Sequence, residues 1–299
     1  MSWRRNRYNR KSAKKLGWNP SWFEADDFND RLAENIKIFQ QKYDLQQDGL
    51  CGSTTFRRIF TEREALDNLI DLDNKANKYI VCNGEKVPID WKATVNLYDA
   101  NNYALPKSCY RRYKPNKRNI GMIITHFDVC LSAVSCKQVL EKKGISSHFV
   151  IDNDGTIYQM VDPQHEGWHA GKRAVNRASI GVDISNGVYT KYQKWYQRKG
   201  FGPRPVIKNV KVHTGKIKEC LGFYPVQIEA YKILVKTLCK HYDIPIEMPT
   251  NSSGKVLMGV EPSVTKGKFK GIANHFHVTR GKWDTANLDW DQMLDDLLK

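Results

Sequence analysis

Short apolar runs of strand length, followed by one long amphipathic stretch, set the strongest limit on what this chain folds into. "GMIITHFD" runs up to His126, and "SIGVDISN" is a second run of the same kind. "SSHFVIDNDGTIYQMV" holds two more around an Asp-Gly turn, which signals a hairpin. "PVQIEAYKILVKTLCKHYDIP" then places Ile228, Tyr231, Leu234, Val235, Leu238 and Tyr242 on one face of a helix. Buried strands mixed with an amphipathic helix specify an α/β domain over residues 119–299, a mixed central sheet flanked by helices. No uncharged apolar run approaches the roughly 20 residues of a membrane span.

Two domains are expected of 299 residues. Leu32, Ile36, Phe39 and Tyr43 repeat at helical spacing. "LQQDGLCGSTTFRRIF" follows, with turn dipeptides at Asp48-Gly49 and Cys51-Gly52, Ser53 or Thr54 as a cap, and Phe56, Ile59 and Phe60 facing inward on a second helix. A small all-α module over residues 25–66 results. Before it, residues 1–24 carry Arg4, Arg5, Arg7, Arg10, Lys11, Lys14 and Lys15 among Trp3, Tyr8 and Trp18. That composition predicts a solvated, partly disordered basic tail, suited to anionic envelope polymers. Residues 67–118 form a connector without an assigned role, in which "YIVCNGEKVPIDW" reads as a short hairpin.

Lys and Arg exceed Asp and Glu by 48 − 32 = 16. Attraction to an anionic polymer follows, but no nucleic-acid-binding motif accompanies the charge. Seven scattered cysteines without a CxxC pair read as reduced thiols rather than a disulfide framework. The basic N-terminus lacks the apolar core of a secretory signal.

Catalytic zinc sites use three protein ligands and keep a fourth position open for water. His126 at the end of one apolar strand, with a histidine and Asp284 from "NHFHVTRGKWD", makes such a His-His-Asp set. The pair His275 and His277 leaves the second ligand open, because residues two apart on a strand share a face.

The ordered motifs "IITHFD", "SSHFVIDNDGTIYQMVD", "EGWHAG", "SIGVDISN" and "NHFHVTRGKWD" resemble those of the zinc-dependent N-acetylmuramoyl-L-alanine amidases over most of residues 119–299. That group includes phage endolysins and bacterial cell-wall amidases, and animal peptidoglycan recognition proteins share its fold. The resemblance implies zinc held by His126, His275 and Asp284. His275 fits because Val278-Thr279 aligns with the V-S/T after the family's H-x-D, which puts His277 in place of an aspartate. Where the family has the Glu of I-G-I-E as proton carrier, this chain has Asp183, one methylene shorter. Lys282 matches the basic residue that would stabilise the oxyanion. His169 of W-H-A-G is expected to line the cleft and contact substrate, and His148 to pack inside the hairpin. Ser147 replaces a tyrosine found in some members. "FQQKYDLQQDGLCGSTTFRRI" resembles the repeat of a small helical peptidoglycan-binding domain, with Phe39, Gln40, Leu45, Asp48, Gly49, Gly52 and Thr55 on the pattern.

The expected function is therefore a modular peptidoglycan hydrolase. Its wall-binding module tethers a zinc domain that cuts the amide between N-acetylmuramic acid and L-alanine. Without an export signal, it reads as a phage endolysin made in the host cytoplasm and released to the wall. A non-catalytic recognition module and a zinc D,D-peptidase are the competing readings, the second lacking its S-x-H-x-x-G-x-x-x-D pattern. Oligomeric state is not legible.

Overall fold

The computed structural model describes residues 2–66, 77–95 and 103–299. The chain divides into two compact units, 1–69 and 70–299. The first is all-α, with α1 (Ser2–Leu16), α2 (Asp30–Lys42) and α3 (Ser53–Leu66). Its core gathers Ala13, Leu16 and Trp18 with Leu32, Ile36, Cys51, Phe56 and Ile59. Residues 1–24 thus do not form the separate tail that composition predicts. Asn9, Ala13 and Leu16 make an inward stripe at helical spacing that the surrounding cations conceal. Buried Asn9 fastens α1 to the α2–α3 loop, donating to the Gly49 carbonyl (3.0 Å) and accepting from the Cys51 amide (2.9 Å).

The same loop explains why Gln, Asp, Gly and Thr recur together in this stretch. Gln40 is buried; its Nε2 reaches Asp48 Oδ1, the Leu50 carbonyl and Thr55 Oγ1, and its Oε1 accepts from the Gly49 amide. Gly49 has φ +73°, and a Cβ there would lie 2.8 Å from the Ala33 carbonyl oxygen, so only glycine fits.

The second unit begins with the hairpin of β1 (Tyr79–Cys82) and β2 (Glu85–Pro88), then β3 (Thr94–Val95) and β4 (Tyr110–Arg111). Next come β5 (Met122–Phe127), α4 (Ala133–Lys143), β6 (Phe149–Ile151), β7 (Ile157–Gln159) and β8 (Glu166–Gly167). After these lie α5 (Arg173–Ala178), β9 (Ser179–Ile184), α6 (Gln193–Arg198), and the hairpin of β10 (Val206–Val212) and β11 (Gly215–Leu221). The chain continues through α7 (Pro225–Tyr242), α8 (Pro262–Thr265), β12 (Gly271–Asn274), α9 (His275–Val278) and α10 (Trp290–Leu298).

The central sheet has the order β12-β5-β9-β6-β7-β3. Strands β12, β5, β9 and β6 are parallel, and β6–β7 is the antiparallel hairpin expected around Asp154-Gly155. The fold is α/β with a mixed sheet, as the apolar runs require. Residues 67–118 are not merely a connector, however. Strand β3 pairs with β7 at the sheet edge, and Ile80, Cys82 and Ile89 enter the main core. Gln159 clamps Val81, accepting from its amide (2.8 Å) and donating to its carbonyl (2.6 Å). The second structural unit therefore starts before residue 119. Residues 67–76 and 96–102 of that segment lie outside the described residues.

Alternation along two strands fixes which side chains leave each face of the sheet. Ile123 and Phe127 of β5, with Ile180, Val182 and Ile184 of β9, face the core covered by Tyr231, Leu234, Val235 and Leu238 of α7. Met122 and Ile124 face a smaller cluster with Val175, Val264, Ala273 and Val278. His126 and Asp183 fall in phase with that second face.

Candidate metal centre

His126 and Asp183 are register partners on adjacent parallel strands, so both side chains leave the sheet on one side. Strand β12 lies on the other flank of β5 and ends at Asn274, where the backbone turns into the single helical turn α9. That turn corrects the strand expected over His275 and His277. Residues two apart on a helix point about 200° apart rather than to one face. His275 turns toward β5. His277 turns away: its Nδ1 accepts from the Asn274 amide (2.9 Å) and its Nε2 donates to the Leu257 carbonyl (2.7 Å). Both of its ring nitrogens are taken, and burial pushes its pKa down to about 4.

The structure brings His126, His275 and Asp284 together. His126 Nδ1 is 3.0 Å from His275 Nδ1 and 3.1 Å from Asp284 Oδ2, and His275 Nδ1 is 2.9 Å from the same oxygen. The three residues are 4%, 6% and 6% exposed, so the pocket is almost closed but still reachable. Burial alone would raise the Asp284 pKa; the His275 charge and hydrogen bonds from both histidines overcome this and hold it well below the usual carboxylate range. Burial lowers the His275 pKa, against the pull of Asp284. Two imidazole nitrogens and a carboxylate oxygen thus meet at one point, where a cation would replace the protons they share. The observed edges are slightly shorter than the roughly 3.3 Å between ligands about 2.0–2.1 Å from a tetrahedral ion. The donor set of two nitrogens and one oxygen fits a metal ion.

His169 stands against His126 and stays partly exposed. Its Nδ1 lies 3.0 Å from His126 Nε2, on the side of that ring turned away from the three converging atoms, and its Nε2 lies 3.3 Å from Ser179 Oγ. Ser179 passes its own proton to the Val175 carbonyl (2.7 Å). Burial and the neighbouring His126 depress the His169 pKa far below its ordinary value. This neutral relay fixes the orientation and tautomer of His126. Gly181 of β9 makes room for it, since a Cβ there would come within 2.7 Å of the His169 ring. His148 packs alongside, buried and neutral: Nδ1 accepts from the Gly181 amide (2.9 Å) and Nε2 donates to the His165 carbonyl (3.0 Å). Burial and adjacent Arg118 push it down to about 3.

Asp183 is buried, and its carboxylate has no hydrogen-bond partner among the described residues. Its negative charge is felt by Asp128, whose pKa burial and Asp183 together raise to about 7. Lys282 is exposed, and its charge contributes to lowering the pKa of both His275 and Asp284.

Sequence reasoning missed the groups that hold this arrangement. Asp128 accepts from the Cys130 amide (2.9 Å), the Asn186 amide (3.0 Å) and Ser185 Oγ (2.7 Å), which locks the exits of β5 and β9 to each other. Arg118 donates to the carbonyls of Pro163, His165, Asn176, Arg177 and Ser179 around His148. Only the position of Asp128, two residues after a strand-end histidine, offered a signal.

No curated protein matches this chain. Among solved structures, it is similar to the endolysin N-acetylmuramoyl-L-alanine amidase LysCS from Clostridium intestinale URNW, with 16% identity, 70% of this chain and 97% of that one covered, and a TM-score of 0.39. A mutant endolysin from Bacillus subtilis is similar at 17% identity, over 65% of this chain and 96% of that one, with a TM-score of 0.39. The sequence model described as N-acetylmuramoyl-L-alanine amidase matches residues 115–285, more than half of the chain and the whole span from before β5 to Asp284. The chain belongs to the N-acetylmuramoyl-L-alanine amidase family.

Proposed function

We propose that this enzyme is a zinc-dependent peptidoglycan hydrolase of the endolysin kind, cleaving the amide between the lactyl group of N-acetylmuramic acid and L-alanine. The observation that carries the reading is the convergence of His126 Nδ1, His275 Nδ1 and Asp284 Oδ2 within 3.1 Å in a chain of the amidase family. Zinc bound by these three residues supplies Lewis acidity, lowering the pKa of a water to about 7 and polarising the scissile carbonyl.

The chain's own groups do the rest. Asp183, on the same face as His126 and free of other hydrogen bonds, takes the proton of the attacking water and delivers it to the leaving amine of L-alanine. Lys282 places a fixed positive charge where the oxyanion develops. His169 acts through His126 as a positioning residue. The N-terminal helical unit anchors the enzyme on peptidoglycan, which raises its local concentration at an insoluble substrate. Its Gln40 network and the exposed cations of α1 support that assignment. All seven cysteines are buried and none is joined in a disulfide, consistent with synthesis in a reducing host cytoplasm before release to the wall.

Digestion of purified sacculi with and without a zinc chelator, followed by mass spectrometry of the soluble products, tests the reading. Stem peptides beginning with L-alanine, lost on chelation and restored by zinc, are expected. Binding without release of fragments would instead make the chain a recognition module. Stem peptides shortened at their C-termini would make it a D,D-peptidase.

A further inference from the structure

The β10–β11 hairpin lies outside the ligand set, yet its tip is bonded to the loop that carries it. His213 donates from Nε2 to the Lys282 carbonyl (2.9 Å) and from its amide to the Met258 carbonyl (2.7 Å). Along the hairpin, Val210 and Val212 turn into the core. Lys211 and Lys216, direct register partners, are both exposed on the opposite face. Lys208, by contrast, stands opposite Glu219. Like charges directly opposite each other destabilise a strand pair. No carboxylate among the described residues comes within ion-pair distance of Lys211 or Lys216. Arg280 and Lys282, in the loop that leads to Asp284, are exposed as well. The His213 bond therefore ties a hairpin whose facing lysines have no carboxylate partner among the described residues to the cationic loop that carries Asp284.

We infer that this hairpin is a substrate-binding arm for the acidic stem peptide beside the scissile amide, an inference that rests on the amidase reading above. Charge complementarity argues for that occupant, and so does reach. From Asp284 to Lys282, across the 2.9 Å His213 bond and on to Lys211, the path is at most roughly 25 Å, since an extended residue spans at most about 3.6 Å. A stem peptide of about four residues spans roughly 14 Å and an extended lysine side chain adds roughly 6 Å, so the lysine pair stands within the range over which such a peptide's carboxylates are attracted when its first amide lies at the metal centre. Lys211 and Lys216 would then favour substrates whose stem-peptide carboxylates are free over substrates in which they are amidated.

The test compares the zinc-loaded full chain with Lys211→Gln/Lys216→Gln and Lys211→Glu/Lys216→Glu. Each is assayed on a soluble muramoyl tripeptide with free carboxylates and on the same peptide with those carboxylates amidated. The double glutamate variant is expected to lose about tenfold in kcat/KM on the acidic peptide at low salt, and less than twofold on the amidated one. The glutamine variant should fall between, and the difference should shrink as salt rises. Rates within twofold of wild type on the acidic peptide would overturn the inference, as would equal losses on both peptides. A loss confined to whole sacculi would assign the lysines to another wall polyanion and overturn it too. A wild-type enzyme inert on both peptides would overturn the amidase reading itself.

Discussion

Gly181→Ala isolates the support behind His126 from the metal ligands. Nothing about the Gly181 backbone demands glycine, since its φ is not in the left-handed region; what an added methyl meets is the His169 ring, at 2.7 Å to Cγ, 2.8 Å to Cδ2 and 3.0 Å to Nδ1. The His169 ring is only partly buried, but its bonds to His126 and Ser179 limit how far it can yield. Overpacking of this kind costs about 1–3 kcal/mol. In a domain of this size that lowers Tm by roughly 2–4 °C per kcal/mol. The ring must also pull away from His126 Nε2, loosening the ligand it orients, and losing such support costs about 10–100-fold in metal affinity. Thermal unfolding and zinc competition with a chromophoric chelator would measure the two losses together. Gly121→Ala is the control, because its Cβ would meet Lys270 Cγ at 3.6 Å and the Phe269 carbonyl oxygen at 3.8 Å, both ordinary contacts. Adding Ala at position 169 removes the obstructing ring, so Gly181→Ala should cost little stability in that background. If Gly181→Ala kept zinc affinity within twofold and stability within about 0.5 kcal/mol of wild type, the His169 relay would have no hold on the metal site.

Asp183→Ala should lower kcat at least roughly 100-fold with sacculus binding retained, the usual scale for a general acid–base group, and a loss under threefold would move the role elsewhere. His275→Ala should abolish zinc binding, whereas His277→Ala should keep one zinc per chain and instead cost about 1–3 kcal/mol through the unpaired Asn274 amide and Leu257 carbonyl; equal zinc loss in both would refute the assignment of His275. His148 stays neutral in the folded state down to about pH 3, while the unfolded chain takes up that proton near pH 6.5. Its contribution is therefore complete above pH 6.5 and lost as pH falls toward 3, so the stability lead of wild type over His148→Gln should shrink by about 1–2 kcal/mol between pH 8 and pH 5 in urea melts. A lead that grew on acidification would reverse that sign. Deleting residues 1–17 should unfold the helical unit, because it removes Ala13, Leu16 and both Asn9 bonds; an unchanged helical circular-dichroism signal from residues 18–66 alone would contradict this.

The sheet and its chemical face were legible because alternation and helical spacing are local. "MIITHF" and "SIGVDI" read as buried strands from hydrophobicity alone, and the structure pairs them so that His126 and Asp183 share a face. The choice between His275 and His277 needed the conformation of α9, where a one-turn helix replaces the extended strand that alternation assumed. The contact of His169 with His126 was not legible, because a histidine that orients another histidine has the same sequence signature as one that touches substrate. Arg118 and Asp128 gave little signal, since they serve backbone groups up to 61 and 58 residues away. The inward stripe of α1 was hidden for the opposite reason: its apolar positions are few and its exposed face so basic that composition masks periodicity.

The pairing of His126 with Asp183 has a further consequence for how protons travel. Neighbouring strands sit about 4.8 Å apart whatever side chains they carry, so β9 cannot move inward to compensate for a carboxylate one methylene short. As the proposed proton carrier, Asp183 would then reach the attacking water through a second water, and the proton would make two hops where a glutamate would make one. A proton inventory in mixed H2O and D2O would show this as a curved dependence of kcat on deuterium fraction. Asp183→Glu should straighten it, turning a relay into a direct handover.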